Sequence, residues 1–288
     1  MKLSAAQKAA YERDGFLVFP NLVSPGEVAR LRGEVVRLRD VDAAGVVREG
    51  STGAPKSMFR LHEDNGAGAS PVFRALSRTP RVMGVAQQVL GETDLYLHHS
   101  KVNVKAAIEG SVWPWHQDFG AWNLDGIQRA DMATFMVMLD DASELSGCLY
   151  LLPGSHKWGR TEAYLDTSTA YRLWSVTPED MKRRMANSPP PVAIAGEAGT
   201  CAIFHCNLMH SSGHNLSHND RWQAYFCFNT CANRPLDVPS RGRTMCARPT
   251  GCPCSRRKMR PSSLKMYRDQ YINGCKSALE LDFSKKCF

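Results

Sequence analysis

Beyond Gly91 the chain reads mainly as short strands between turns. Before that point apolar residues recur every three or four positions. After it the apolar runs are short and are set between Gly, Pro, Asn and Asp. Candidate strands are Leu95–Val104, Ala133–Leu139, Cys148–Leu152, Val192–Ile194, Thr200–His205 and Gln223–Asn229. Short strands bury their apolar faces only by joining sheets that share a core. Helices first and many short strands later therefore predict a mainly β chain with N-terminal helices, a sandwich or barrel carrying a helical layer. No internal repeat is present.

The N-terminal part is well punctuated. Ser4 to Gln7 fits a capping box opening a short helix, Asp14-Gly15 ends it, and Phe16–Phe19 reads as a buried strand. Ser24-Pro25-Gly26-Glu27 is a second capping box with proline at the first helical position, and Val28, Leu31, Val35 and Leu38 give an amphipathic helix to about Arg39. Residues 40–70 read as a loop with a short strand near Met58–His62. A helix is expected over Pro80–Leu90, and another from Thr177-Pro178 to Pro189-Pro-Pro191.

Charge and cysteine divide the chain near residue 240. From Ser240 to Phe288 there are 12 Lys and Arg against 3 Asp and Glu, a surplus of +9, so the formal +8 of the whole chain belongs to this tail and residues 1–239 carry 24 basic and 25 acidic side chains. That balance argues against nucleic-acid binding by the main body. Nine of the ten cysteines lie at or after Cys201, and five follow residue 240. Cys246, Cys252 and Cys254 do not fit a four-ligand zinc pattern. The N-terminus lacks the apolar centre of a signal peptide, and no apolar run approaches the ~18–20 residues of a membrane span. Reduced thiols and a cytoplasmic location are expected. The division expected is a catalytic domain over 1–239 and a basic, Cys-containing tail over 240–288.

The chemistry sits in Trp113-Pro-Trp115-His116-Gln117-Asp118-Phe119. In an extended segment residues i and i+2 share a face, so His116 and Asp118 aim an imidazole and a carboxylate at one point. A second histidine would complete a 2-His-1-carboxylate facial triad, whose open positions on an octahedral ion suit iron(II). Downstream stand His205, His210, His214 and His218. Arg221 follows His210 by eleven residues, and a guanidinium fork there suits a carboxylate. Ser212 can add a hydrogen bond.

These motifs resemble the phytanoyl-CoA hydroxylase superfamily of iron(II)- and 2-oxoglutarate-dependent dioxygenases, most nearly the ectoine hydroxylases and the small free-amino-acid hydroxylases of leucine type. The resemblance runs over about residues 5–235 and rests on Asp14-Gly15-Phe16, Lys101-Val-Asn103-Val-Lys105, Trp115-His116-Gln117-Asp118-Phe119, Gly147 to His156, Phe204 to His210, Arg221 and Phe228-Asn229. It implies a double-stranded β-helix, a cupin-like jelly roll with the metal at its mouth. It implies iron(II) on His116, Asp118 and His210. Arg221 and Ser212 would hold the distal carboxylate of 2-oxoglutarate, with Asn103 and Lys105 lining the same pocket, and O2 as the other co-substrate. Substrate-side positions fall on His99, Trp122, Phe204 and Tyr225. His99 stands where the family has glutamine, and His205 where ectoine hydroxylases have aspartate. The family usually ends near Asn233-Arg234-Pro235, so the tail lies outside the resemblance.

The implied activity is hydroxylation of an unactivated C–H of a small amino acid or amino-acid-derived metabolite, with release of succinate and CO2. Asp118 argues for oxygen transfer over halogenation, because related halogenases carry a small residue there. A desaturase, epimerase or cyclase could use the same site. A non-oxidative metal enzyme of cupin type and a non-catalytic binder with a docking tail are the other classes left open. His98 and His99 are adjacent, so on a strand they face opposite ways and at most one points inward; His99 shares parity with Lys101, Asn103 and Lys105. His156, in a Pro-Gly-Ser-His turn, reads as structural.

Overall fold

The computed structural model describes residues 1–236 apart from 41–44, 51 and 67. The expected boundary at 239/240 and the basic tail lie outside the described residues. In chain order the elements are α1 (Ala5–Asp14), β1 (Phe16–Phe19), α2 (Pro25–Arg39), β2 (Val46–Arg48), β3 (Pro55–Phe59), α3 (Pro71–Ser77), α4 (Met83–Leu90), β4 (Leu95–Lys105) and β5 (Trp113–His116). There follow α5 (Asp118–Trp122), β6 (Met132–Met138), β7 (Leu149–Leu151), β8 (Tyr164–Asp166), β9 (Leu173–Ser175), α6 (Pro178–Met185), β10 (Val192–Ile194), β11 (Cys201–His205), β12 (His210–Ser212) and β13 (Arg221–Thr230).

The strands form a seven-stranded sheet, β1-β11-β6-β13-β4-β3-β2, and a four-stranded sheet, β10-β7-β12-β5, with β8 and β9 paired as a separate hairpin. All pairings are antiparallel. This is the expected jelly roll. The larger sheet is covered on both faces. Its outer face carries Val102, Val104, Phe135, Val137, Ile203, Phe226 and Phe228, which pack with Tyr11 of α1, Val28, Leu31, Val35 and Leu38 of α2 and Val85 of α4. Its inner face meets the smaller sheet through Met136, Met138, Phe204 and Tyr225 against Leu149, Leu151 and Ile194. Double coverage explains why β6, Met-Ala-Thr-Phe-Met-Val-Met, is an unbroken buried run instead of an alternating one.

Both expected capping boxes form, Ser4 with Gln7 and Ser24 with Glu27. Gly15, at φ +85°, ends α1 and feeds the chain into β1. Three expectations need correction. The strand read near Met58–His62 is Pro55–Phe59, because Arg60 takes a positive φ of 67° and turns the chain. Segment 40–70 also holds a second strand, β2, paired with β3. The helix read over Pro80–Leu90 starts at Met83, and α3 precedes it. Ser70 caps α3 through Phe73 N, the same Ser-Pro start that marks α2. The hairpin β8–β9 and strand β12 lack a sequence signal, since three-residue strands carry too few positions to show alternation.

Leu31 is 2% exposed on the buried face of α2. Leu31→Ala is expected to lower the unfolding free energy by about 2–5 kcal/mol in urea denaturation, whereas a loss under about 1 kcal/mol would show that α2 does not anchor the sheet.

Candidate active site

The ladder between the two strands of the smaller sheet builds the centre. His210 of β12 lies directly opposite His116 of β5, and the ring centroids are 4.0 Å apart. Each Nδ1 faces a backbone carbonyl two residues earlier: His116 Nδ1 lies 2.7 Å from Pro114 O and His210 Nδ1 2.9 Å from Leu208 O. A carbonyl only accepts, so both Nδ1 atoms carry the proton and both Nε2 atoms present lone pairs. Burial holds both imidazoles below the usual histidine range. Asp118 closes the group, its Oδ1 3.8 Å from His210 Nε2. One donor atom from each of the three residues falls within 4.8 Å of the others. Two neutral imidazole lone pairs and a carboxylate converging on one point form a donor set that can hold a divalent metal ion.

Gln117 is still extended, at φ −115° and ψ 134°, so the i, i+2 relation carries through to Asp118, and the chain turns only there, at the first residue of α5. Gln117 holds that corner. Its Nε2 donates to Gly159 O and Asn207 O at 2.8 and 2.7 Å, and its Oε1 accepts from Thr161 N at 2.8 Å. Phe119 N donates to Cys206 O at 3.1 Å and ties the same corner to the end of β11.

A cavity adjoins the triad and is lined by Lys101, Asn103, Trp113, Phe204, Ser212, Arg221 and Tyr225 among others. Arg221 is 1% exposed. Its Nη2 donates to Gly147 O at 2.7 Å and its Nη1 to Gln223 Oε1, while Nε is buried without a hydrogen-bond partner. Lys105 lies opposite Arg221 in the β4–β13 ladder and donates to Gly213 O. Burial and the neighbouring guanidinium lower Lys105 to about 6. Among the described residues Arg221 has no carboxylate partner, so this end of the cavity carries an unmet demand for an anion.

A model of the phytanoyl-CoA dioxygenase family matches residues 11–222. The chain belongs to that family. Among curated relatives it is 33% identical over 234 residues to the ectoine dioxygenase of Stutzerimonas stutzeri strain A1501, covering 77% of this chain and 76% of the relative. It is 31% identical over 242 residues to the L-proline trans-4-hydroxylase of Streptomyces griseoviridis, covering 79% and 87%. Among solved structures it superposes on EctD from S. alaskensis with 2-oxoglutarate and 5-hydroxyectoine at a TM-score of 0.71 with 30% identity, covering 81% of this chain and 78% of that one. The same protein with bound Fe gives 0.70 at 31% identity, covering 82% and 79%.

The structure sorts the remaining sequence-derived candidates of this dioxygenase. Ser212, Asn103, Phe204 and Tyr225 line the cavity with the triad and Arg221. Lys105 sits behind Arg221 and does not line it. Trp122 also lies off the lining, in an apolar cluster with Phe119, Ile127, Met132, Cys206 and Cys227. His99 packs on Phe59, with centroids 5.4 Å apart, and Phe59 stacks on Tyr171. The rule that adjacent histidines face opposite ways fails here. Cys227 pairs with His99 but Phe228 pairs with Leu97, so His98 is the extra residue of a β-bulge. The bulge turns His98 onto Trp122 at 5.4 Å, with its Nε2 closed off from solvent and unpartnered. Sequence reasoning missed Lys101 as a lining residue. Its ammonium lies 4.9 Å from the Trp113 ring centroid and 5.3 Å from that of Tyr225. Its alternation with Asn103 was the available signal. His156 and His205 stand together at the end of β11, 5.4 Å apart and outside the cavity lining.

The histidines beside the bulge make stability depend on pH. Burial lowers His98 to about 4, and burial with the nearby His98, Arg60, Arg78 and Arg74 lowers His62 to about 3. In the unfolded chain each takes up a proton near pH ~6.5. Their contribution is thus complete above that pH and declines by about 1.4 kcal/mol per pH unit for each histidine as pH falls towards the folded values. Urea unfolding of the wild type at neutral pH and near pH ~5.5 should show this loss. His62→Gln should make it smaller, and an unchanged pH dependence in that variant would refute the assignment.

Proposed function

We propose that this iron(II)- and 2-oxoglutarate-dependent dioxygenase hydroxylates an unactivated C–H of a small, carboxylate-bearing amino acid or amino-acid-derived metabolite. The observation that carries the reading is the pairing of two preset imidazole lone pairs and a carboxylate with an anion-seeking pocket at Arg221. His116, Asp118 and His210 would hold the iron. Arg221, with its free Nε, and Ser212 would hold the distal carboxylate of 2-oxoglutarate, with Lys105 opposite Arg221 in the ladder. With O2, these partners supply an oxidant able to functionalise an unactivated C–H, leaving succinate and CO2.

The protein's own share is orientation and exclusion of water. Trp113, Phe204 and Tyr225 wall the cavity, and Asn103, fixed by a 2.8 Å hydrogen bond from Ser57 Oγ, orients polar groups beside them. Lys101 has no carboxylate partner among the described residues and faces into the same space, which supports a substrate carboxylate near its ammonium. The ectoine and proline oxygenases among the relatives support a compact substrate over a fatty acyl thioester. A cytoplasmic setting fits the free thiols at Cys148, Cys201, Cys206, Cys227 and Cys231.

The test is an anaerobic titration with iron(II) and 2-oxoglutarate, then an amino-acid panel read for succinate and for product by mass spectrometry. Succinate should require iron(II) and rise with the matching amino acid. His116→Ala and Asp118→Ala should reduce turnover to background, and Arg221→Gln should raise the KM for 2-oxoglutarate about 10- to 100-fold. Turnover that survives both triad substitutions would sink the proposal.

A further inference from the structure

Asp118 presents its two oxygens to different surroundings. Oδ1 faces His210 Nε2, on the side where the imidazole lone pairs converge. Oδ2 accepts a 2.9 Å hydrogen bond from Thr134 Oγ1. Thr134 stands on β6, opposite Phe204 of β11 on one side and Cys227 of β13 on the other, and is 1% exposed. Its Oγ1 also lies 3.4 Å from Cys227 Sγ. A hydroxyl has one proton to give. The carboxylate can only accept, whereas the thiol can donate, so Thr134 donates to Asp118 and its oxygen is left to receive Cys227. Held between two ladder neighbours, the β-branched side chain has little freedom to turn away.

We infer that Thr134 is a positioning residue for the metal: its hydroxyl holds Oδ2 so that Asp118 meets the ion through Oδ1 alone. The inference rests on the iron reading above. A carboxylate's terminal torsion is broad and two-fold, so an untethered Asp118 could turn both oxygens towards the ion. That would fill a position which a facial triad must leave open for co-substrate and O2. The tether therefore governs both affinity and the number of open positions. Gln117 fixes the backbone on one side of Asp118; Thr134 fixes the carboxylate itself.

The test compares wild type with Thr134→Val, Thr134→Ala and Thr134→Ser. Iron(II) affinity is measured by anaerobic equilibrium dialysis, and the visible charge-transfer band is recorded on adding 2-oxoglutarate. Circular dichroism and the thermal midpoint check folding, and the alanine variant serves if valine does not fold. The valine and alanine variants should bind iron(II) about 10- to 100-fold more weakly and show a shifted band, with serine restoring both. If valine and alanine match wild type, or serine loses as much as valine, the hydroxyl has no such role and the inference fails. A wild type that takes up no iron would instead overturn the reading of the site itself.

Discussion

The larger sheet is buried on both faces, and the rest of the molecule depends on that. Helices α1, α2 and α4 take up the apolar outer face. The inner face is thereby released from supplying the whole core and can carry Lys101, Asn103, Lys105, Thr134, Arg221 and Gln223 on neighbouring strands. A sheet that relied on its inner face alone for stability could not place so many polar groups there. The smaller sheet then brings His116 and His210 opposite those polar positions, and the cavity is the space between.

The polar interior is satisfied unevenly. Lys56 is 1% exposed and pairs with Glu49 at 3.2 Å, so its charge is met within the chain. Arg221 is equally buried, yet its Nη atoms donate to the neutral oxygens of Gly147 and Gln223 and it has no carboxylate partner among the described residues. The difference separates a charge the fold has neutralised from one it has not. It also explains how burial lowers Lys105: desolvation acts first, and the neighbouring Arg221 adds to it.

Much of this was legible in the sequence where a residue's role follows from local rules. The Ser-Pro and Thr-Pro helix starts at Ser24 and Thr177, the glycine end of α1 and the strands with long apolar runs all appear where chain chemistry puts them. The cluster of His116, Asp118, His210 and Arg221 was legible as a pattern of residue types and spacing. What the sequence hid depends on partners distant along the chain. The β-bulge at His98 is set by the register with β13, which no local pattern reveals. Trp122 looked like a cavity wall, but α5 turns it into the apolar cluster behind. Thr134 gave no signal, because a threonine in a buried strand looks like any other β-branched residue until Asp118 is placed beside it.

The tautomer of both His116 and His210 is set by the main chain, through Pro114 O and Leu208 O. Many metal sites use a second side chain for this purpose, which ties ligand basicity to the identity of another residue. Here no side-chain replacement in the pocket removes the hydrogen bond that fixes either proton. The cavity wall can therefore drift through many substitutions, and so through many substrates, while the imidazoles keep the same lone pairs on offer. The arrangement makes the pair of imidazole donors mutationally robust and leaves specificity free to evolve around it.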